Sequence, residues 1–196
     1  MGLSAATRRP IVLVHGAWHG GWCWQRLVPL LASAGHAVFA PTFTGLGDRI
    51  HLARPDVELD PHVRDLQALF ERHNLRDAVL VGHRYGCVLI NLLAERMRSR
   101  LAQLVCLDAF VPDTGPRVFQ HVQPPARPAN GLPRAFIAST PFDRAPVAPM
   151  PDEVRGQTRW QMHRLAAGHN AMITDPTALA RLLLAIADSA PAEAPA

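Results

Sequence analysis

Few residues in this chain are equipped for chemistry, and the most conspicuous is of an unexpected type. Arg84 stands at the centre of Gly82-His83-Arg84-Tyr85-Gly86. An apolar run, Ala78 to Val81, precedes it, and Cys87 to Met97 reads as a helix after it. Strand, glycine-flanked turn and helix are the setting of the Gly-x-Ser-x-Gly nucleophile elbow, whose tight turn projects one side chain above a sheet. A guanidinium cannot take over from the serine hydroxyl: it stays protonated, only donates hydrogen bonds and has no nucleophilic lone pair. It can bind a carboxylate or stabilise an enolate, or else simply plug the pocket. His169 precedes the last helix and is of the type that can be neutral near pH 7 and take a proton; the plainer alternative is a packing or capping group. Asp108 ends the strand Leu104 to Leu107, where a carboxylate can orient an imidazole. Asp143 is the competing acid, and either reads alternatively as a solvated loop residue. Asp108 is preferred because Asp143 lies in a Pro-flanked loop of uncertain register.

Other nucleophiles are weaker candidates. Cys87 falls on the helix and should face the sheet, and Cys106 alternates into a strand core. Ser139 and Thr140 lie at a strand end. Tyr85 offers a phenol that can donate a proton to a substrate oxygen. His15 and His19 are four apart, but the glycine-rich turn between them is no helix, so they do not read as a metal pair. The aromatics Trp18, Trp22 and Trp24 read as core and pocket wall.

Alternating elements must position these groups. Ile11 to Val14 is a β-branched run, as expected of a strand buried on both faces. Trp22 to Ala34 has helical periodicity and ends at Gly35. Ala37 to Ala40 is a strand stopped by Pro41, and Thr42 to Leu59 a polar loop. A helix starts at Asp60-Pro61 and runs to about His73. Strands follow at Asp77 to Val81, Leu104 to Leu107, Ala135 to Ala138 and Trp160 to Leu165, with a last helix from Asp175-Pro176 to Ala187. Strands separated by helices imply βαβ units, a parallel sheet and a site at the strands' carboxyl ends.

With 196 residues and 48% hydrophobic content, the chain reads as one compact domain over residues 1–189, with a Pro/Ala-rich tail at 190–196 expected to be disordered. No apolar run approaches the ~20 residues of a membrane span. Residues 1–10 lack the apolar core of a secretory signal. The three cysteines suggest neither a disulfide framework nor a zinc site, and a cytoplasmic location is expected. Lysine is absent, so all 20 Lys/Arg positions are arginine. They are scattered rather than gathered with aromatics, which argues against nucleic-acid binding. With the Ala and Pro content they suggest a GC-rich, bacterial source.

Val12-Leu13-Val14-His15-Gly16-Ala17-Trp18-His19-Gly20-Gly21-Trp22-Cys23-Trp24, Thr44-Gly45-Leu46-Gly47-Asp48-Arg49, the segment around Arg84, Leu107-Asp108-Ala109-Phe110-Val111-Pro112 and Ala167-Gly168-His169-Asn170-Ala171-Met172 occur in this order. Together they resemble the α/β-hydrolase superfamily, in the branch of plant hydroxynitrile lyases, methyl-ester esterases and small bacterial relatives. The resemblance implies an α/β-hydrolase fold: a six-stranded, mostly parallel sheet with helices on both faces. It implies His169 as the general base and the backbone N–H groups of Ala17 and Tyr85 as an oxyanion hole. His15, Trp18 and His83 would border the substrate pocket, with His15 also holding its loop by hydrogen bonds. This chain departs from the pattern twice. Arginine stands at the elbow, and residues 112–133 are too short for the usual cap, leaving a vestigial lid and a truncated substrate cover.

Two functions follow from the resemblance and its departures. One is non-covalent acid/base chemistry (lyase, isomerase, cyclase or hydration) on a small carbonyl compound, with His169, Asp108 and Arg84 as the catalytic set, in bacterial secondary metabolism. The other is a catalytically inactive pseudo-hydrolase that binds a ligand or partner. Neither calls for a cofactor or metal. The expected partner is a small molecule, with no nucleic acid or membrane involved, and a homodimer is compatible with a bared pocket mouth.

Overall fold

The computed structural model describes residues 8–55, 57, 59–108, 132–139 and 160–189. Six strands form a single sheet: β1 (Ile11–Val14), β2 (Val38–Phe39), β3 (Ala78–His83), β4 (Leu101–Leu107), β5 (Arg134–Ser139) and β6 (Trp160–Leu165). Their order is β2-β1-β3-β4-β5-β6, and all five neighbouring pairs run parallel. The helices are α1 (Val28–Ser33), α2 (Leu59–Arg72), α3 (Tyr85–Met97), α4 (Ala171–Thr174) and α5 (Pro176–Ser189).

Strand alternation divides the apolar residues between two cores. Ile11, Leu13, Val79 and Val81 pack on one face with Leu31 of α1 and Leu179, Leu183 and Ile186 of α5. Val12, Val14 and Leu80 pack on the other with Val63 and Leu66 of α2 and Leu89, Ile90 and Leu93 of α3. A sheet covered on both faces needs apolar residues at successive positions, which is why β1 reads Ile-Val-Leu-Val with every residue buried.

Register decides where the loops emerge. Val14 pairs with Gly82, His83 with Leu107, Leu107 with Ile137, and Ser139 with Leu165. Arg84, Asp108 and the segment leading to His169 therefore leave the same edge of the sheet, the first two from the neighbouring strands β3 and β4 and the third from β6, two strands beyond β4.

The elements differ from sequence expectation at identifiable points. The helix expected over Trp22–Ala34 is instead a short 3-10 turn, Gly21–Trp24, followed by α1 from Val28. Pro29 is the cause: it lacks an N–H, and its ring clashes with the carbonyl four residues back, so the helix can begin only around it. The Thr42–Leu59 loop contains another 3-10 turn, Gly47–Leu52. The expectation of no disulfide is corrected: Cys87 at the start of α3 is bonded to Cys106 of β4, across a Cα separation of 5.4 Å. Cys23 is free and buried, which pushes its thiol up to about 12. Most of the expected lid at 112–133, Thr140, Asp143 and the tail at 190–196 lie outside the described residues. Among the described residues, no helix is long and apolar enough to cross a membrane.

Candidate functional site

The elbow is built by close backbone approach. A Cβ at Gly82 would sit 2.6 Å from Cys87 N, and one at Gly86 would run into the Val14 carbonyl, so both positions require glycine. Between them Arg84 adopts φ 48°, ψ −110°, a left-handed, sparsely populated conformation for a residue with a side chain. Neighbouring atoms hold it there: Arg84 N donates to Leu107 O at 3.1 Å, and Cys87 N donates to Arg84 O at 2.9 Å. The strain is testable without reference to activity. Arg84→Gly and Arg84→Ala both lose the guanidinium, but only glycine relieves the backbone. The glycine variant is expected to exceed the alanine variant in stability by about 1–2 kcal/mol, or roughly 3–6 °C in melting temperature. Equal melting temperatures would show that the turn is unstrained.

Asp108 follows β4, also at positive φ (45°). Its N–H donates to Ile137 O at 2.9 Å, and its Oδ1 accepts the Ser139 N–H at 2.7 Å. Its Oδ2 lies 3.5 Å from His169 Nδ1, an orienting contact longer than an ideal hydrogen bond. Burial alone would raise the Asp108 carboxyl, but hydrogen bonds from His169 and Ser139 prevail and hold it below the usual carboxylate range. Asp108 is thus an anchored anion behind His169.

On the other side of the imidazole, Arg84 Nη1 stands 3.0 Å from His169 Nε2. A guanidinium can only donate. His169 Nε2 must therefore accept, which places the imidazole proton on Nδ1, facing Asp108. The three residues expected to form the catalytic set thus lie in one line, cation–imidazole–carboxylate.

The three expected pocket-border residues take three different positions. His15 is fully buried; its Nδ1 donates to Gly16 O at 2.8 Å and its Nε2 accepts the Phe43 N–H at 3.3 Å. Burial lowers its pKa to about 4. It supports the loop. His83 is also fully buried, because it is still within β3, and its ring lies under that of His169 with centroids 4.9 Å apart. Burial first, and the neighbouring His169 next, lower its pKa to about 3. Trp18, at φ 68°, is 80% exposed, while Trp24 is core and Trp22 half-exposed.

Ala17 lies on the loop after β1 and Tyr85 opens α3, so both sit beside the Arg84 turn. His19 N donates to Gly16 O at 3.3 Å and shapes that loop. The Tyr85 phenol belongs to a chain that sequence reasoning missed. His62 of α2 donates from Nε2 to Thr44 O at 2.8 Å, leaving Nδ1 to accept the Tyr85 hydroxyl proton at 2.8 Å. Burial pushes the Tyr85 phenol well above its usual range and lowers His62. No sequence signal announces this pairing, which depends on how α2 packs against α3.

His83, Asp108 and His169 bring potential metal donors within 4.8 Å of one another. That spread exceeds the roughly 3.4 Å between ligands of a tetrahedral zinc with bonds near 2.1 Å. The donor set also shares its space with the Arg84 cation. As placed, these residues do not fit a metal.

A family model described as "Alpha/beta hydrolase family" matches residues 11–193. Among curated relatives, the carbendazim hydrolyzing esterase of Nocardioides sp. (strain SG-4G) is 49% identical over 104 residues, covering 53% of this chain and 43% of that protein. The alpha-hydroxynitrile lyase of Arabidopsis thaliana is 39% identical over 107 residues, 53% of this chain and 40% of that one. The matched stretches thus cover less than half of these relatives. Among solved structures, a point mutant of tomato methylketone synthase I superposes with a TM-score of 0.77 at 19% identity, covering 94% of this chain and 99% of that one.

Proposed function

On the premise that this chain belongs to the alpha/beta hydrolase family, we propose that it carries out non-covalent acid/base chemistry on a small carbonyl compound, of lyase, isomerase, cyclase or hydration type. The family resemblance and the elbow geometry support a protein without a serine nucleophile, because the apex position carries a residue that cannot attack a carbonyl. The observation that carries the reading is the line Arg84–His169–Asp108, with contacts of 3.0 Å and 3.5 Å. It puts a proton acceptor held by a carboxylate next to a fixed cation. In this reading His169 Nε2 removes a proton adjacent to the substrate carbonyl. The charge that develops on oxygen is stabilised by Arg84 and by the backbone N–H groups of Ala17 and Tyr85. His169 then returns the proton.

The second reading is an inactive hydrolase that binds a small molecule or partner. It is favoured by one observation: Arg84 occupies the lone pair of His169 Nε2 that catalysis needs.

Proton exchange separates the two. Deuterium incorporation from D2O into a panel of small ketones, β-dicarbonyl compounds and keto carboxylates is followed by proton NMR, for the parent protein and for His169→Ala. Acid/base catalysis predicts a loss of about 10²-fold or more in the variant. A folded His169→Ala protein that exchanges as fast as the parent, or a parent that accelerates none of the panel, leaves only the binding reading.

A further inference from the structure

The Nε2 lone pair of His169 is occupied by Arg84, and this arrangement sets a condition on the ligand. Arg84 Nη1 reaches His169 Nε2 at 3.0 Å, so the imidazole cannot accept a substrate proton until the guanidinium moves. A neutral carbonyl gives the guanidinium little reason to leave, because it offers an acceptor no stronger than the imidazole. A carboxylate does, since its full negative charge and two acceptor oxygens match the guanidinium fork, whereas the imidazole offers one neutral acceptor. We propose that Arg84 is an anion-operated gate: a small molecule bearing a carboxylate takes the guanidinium and thereby releases the His169 lone pair toward itself.

Three features of the site support this. The Asp108 carboxylate attracts the Arg84 cation, but its side chain is only 2% exposed and is held by the Ser139 N–H at 2.7 Å, so it stays in place when the guanidinium swings. The His169 side chain is 28% exposed, so a small ligand can reach the arginine–imidazole contact from solvent. The Arg84 backbone is tied to Leu107 and Cys87, so the charge is delivered from a fixed root and only the flexible side chain needs to swing. The ligand class that fits is a carbonyl compound with a carboxylate close enough to pair with Arg84 while its α-carbon faces His169. The release of the base has a catalytic consequence only if the acid/base reading above holds; the selectivity for anions does not depend on it.

The test uses benzoate, with benzamide as its neutral counterpart, in calorimetric titrations of the full chain. The histidine side-chain nitrogens are observed in parallel by NMR. Benzoate is expected to bind at least about tenfold more tightly than benzamide and to shift the His169 Nε2 resonance as the guanidinium leaves. Arg84→Gln should abolish the preference, and Arg84→Lys, which keeps the charge, should retain part of it. Equal affinity for the two probes overturns the gate, as does benzoate binding undiminished in Arg84→Gln or an unmoved Nε2 resonance at saturation. If the anion preference fails while His169→Ala still abolishes exchange, the gate is wrong and the acid/base reading stands. If the preference holds while exchange survives His169→Ala, the gate is right and serves a binding protein.

Discussion

Arg84→Ser is expected to turn this protein into an esterase, hydrolysing p-nitrophenyl acetate on the order of 10³-fold faster than the parent. The turn, the carboxylate and the imidazole are already held in place. The apex keeps its φ 48°, ψ −110° turn through backbone bonds to Leu107 and Cys87, and these do not involve the side chain. Asp108 is buried and anchored by the Ser139 N–H, and it faces His169 Nδ1 at 3.5 Å. With the guanidinium gone, Nε2 loses the donor that now occupies it and can take the serine proton. The order apex, acid, histidine along the chain (84, 108, 169) is that of the fold's hydrolytic members. The double variant Arg84→Ser/His169→Ala should fall back to the parent level, which excludes hydrolysis by an unrelated surface group. A folded single variant with no activity above the parent would mean that Asp108 and His169 are not aligned on the apex, and the acid/base reading would fall with it.

The parts of the site legible in sequence are those fixed by topology. Arg84, Asp108 and His169 each fall just beyond a strand. In a parallel sheet such positions share one edge, so their meeting follows once the strands are recognised. β6 is legible to the residue, Trp160–Leu165. β3 reads too short, because Gly82 signals a turn while it still pairs with Cys106. Side-chain direction is less legible. His83 is still within the strand, and the register carries its ring against that of His169. His15 sits beside a turn, yet its two hydrogen bonds, to Gly16 and Phe43, fold it inward. The Cys87–Cys106 bond spans 19 positions between a helix and a strand. It arises from the packing of α3 on β4, and no cysteine spacing encodes it. The His62–Tyr85 contact is hidden for the same reason, since it depends on α2 lying against α3.

Two buried histidines should make the fold sensitive to mild acid. Burial lowers His15 to about 4 and His83 to about 3, from an ordinary value of 6.5. Between those limits the unfolded chain binds protons at these positions and the folded protein does not. Stability is therefore undiminished above the unfolded value and falls as the pH drops below it. At pH 4.5 each histidine lies two units below its unfolded value, and at about 1.4 kcal/mol per unit the pair removes roughly 5 kcal/mol. That equals the whole stability of many domains. Asp108 acts in the same direction but lower, because its carboxyl is held below the usual range and its contribution is lost only as the pH falls through that depressed value. Denaturant unfolding at pH 7.5, 5.5 and 4.5 measures the slope, and proton uptake on unfolding at pH 5 should approach two from these histidines, with His62, which burial also lowers, adding to it. His83→Phe removes one of the two titrations. Neither ring nitrogen of His83 has a hydrogen-bond partner among the described residues, so phenylalanine forfeits little at neutral pH. The variant should therefore match the parent near pH 7.5 and lose roughly 3 kcal/mol less than the parent by pH 4.5. Stability that stays flat from pH 7.5 to 4.5 would mean that water or a rearranged side chain reaches these rings, and that His83 does not form a dry floor beneath His169.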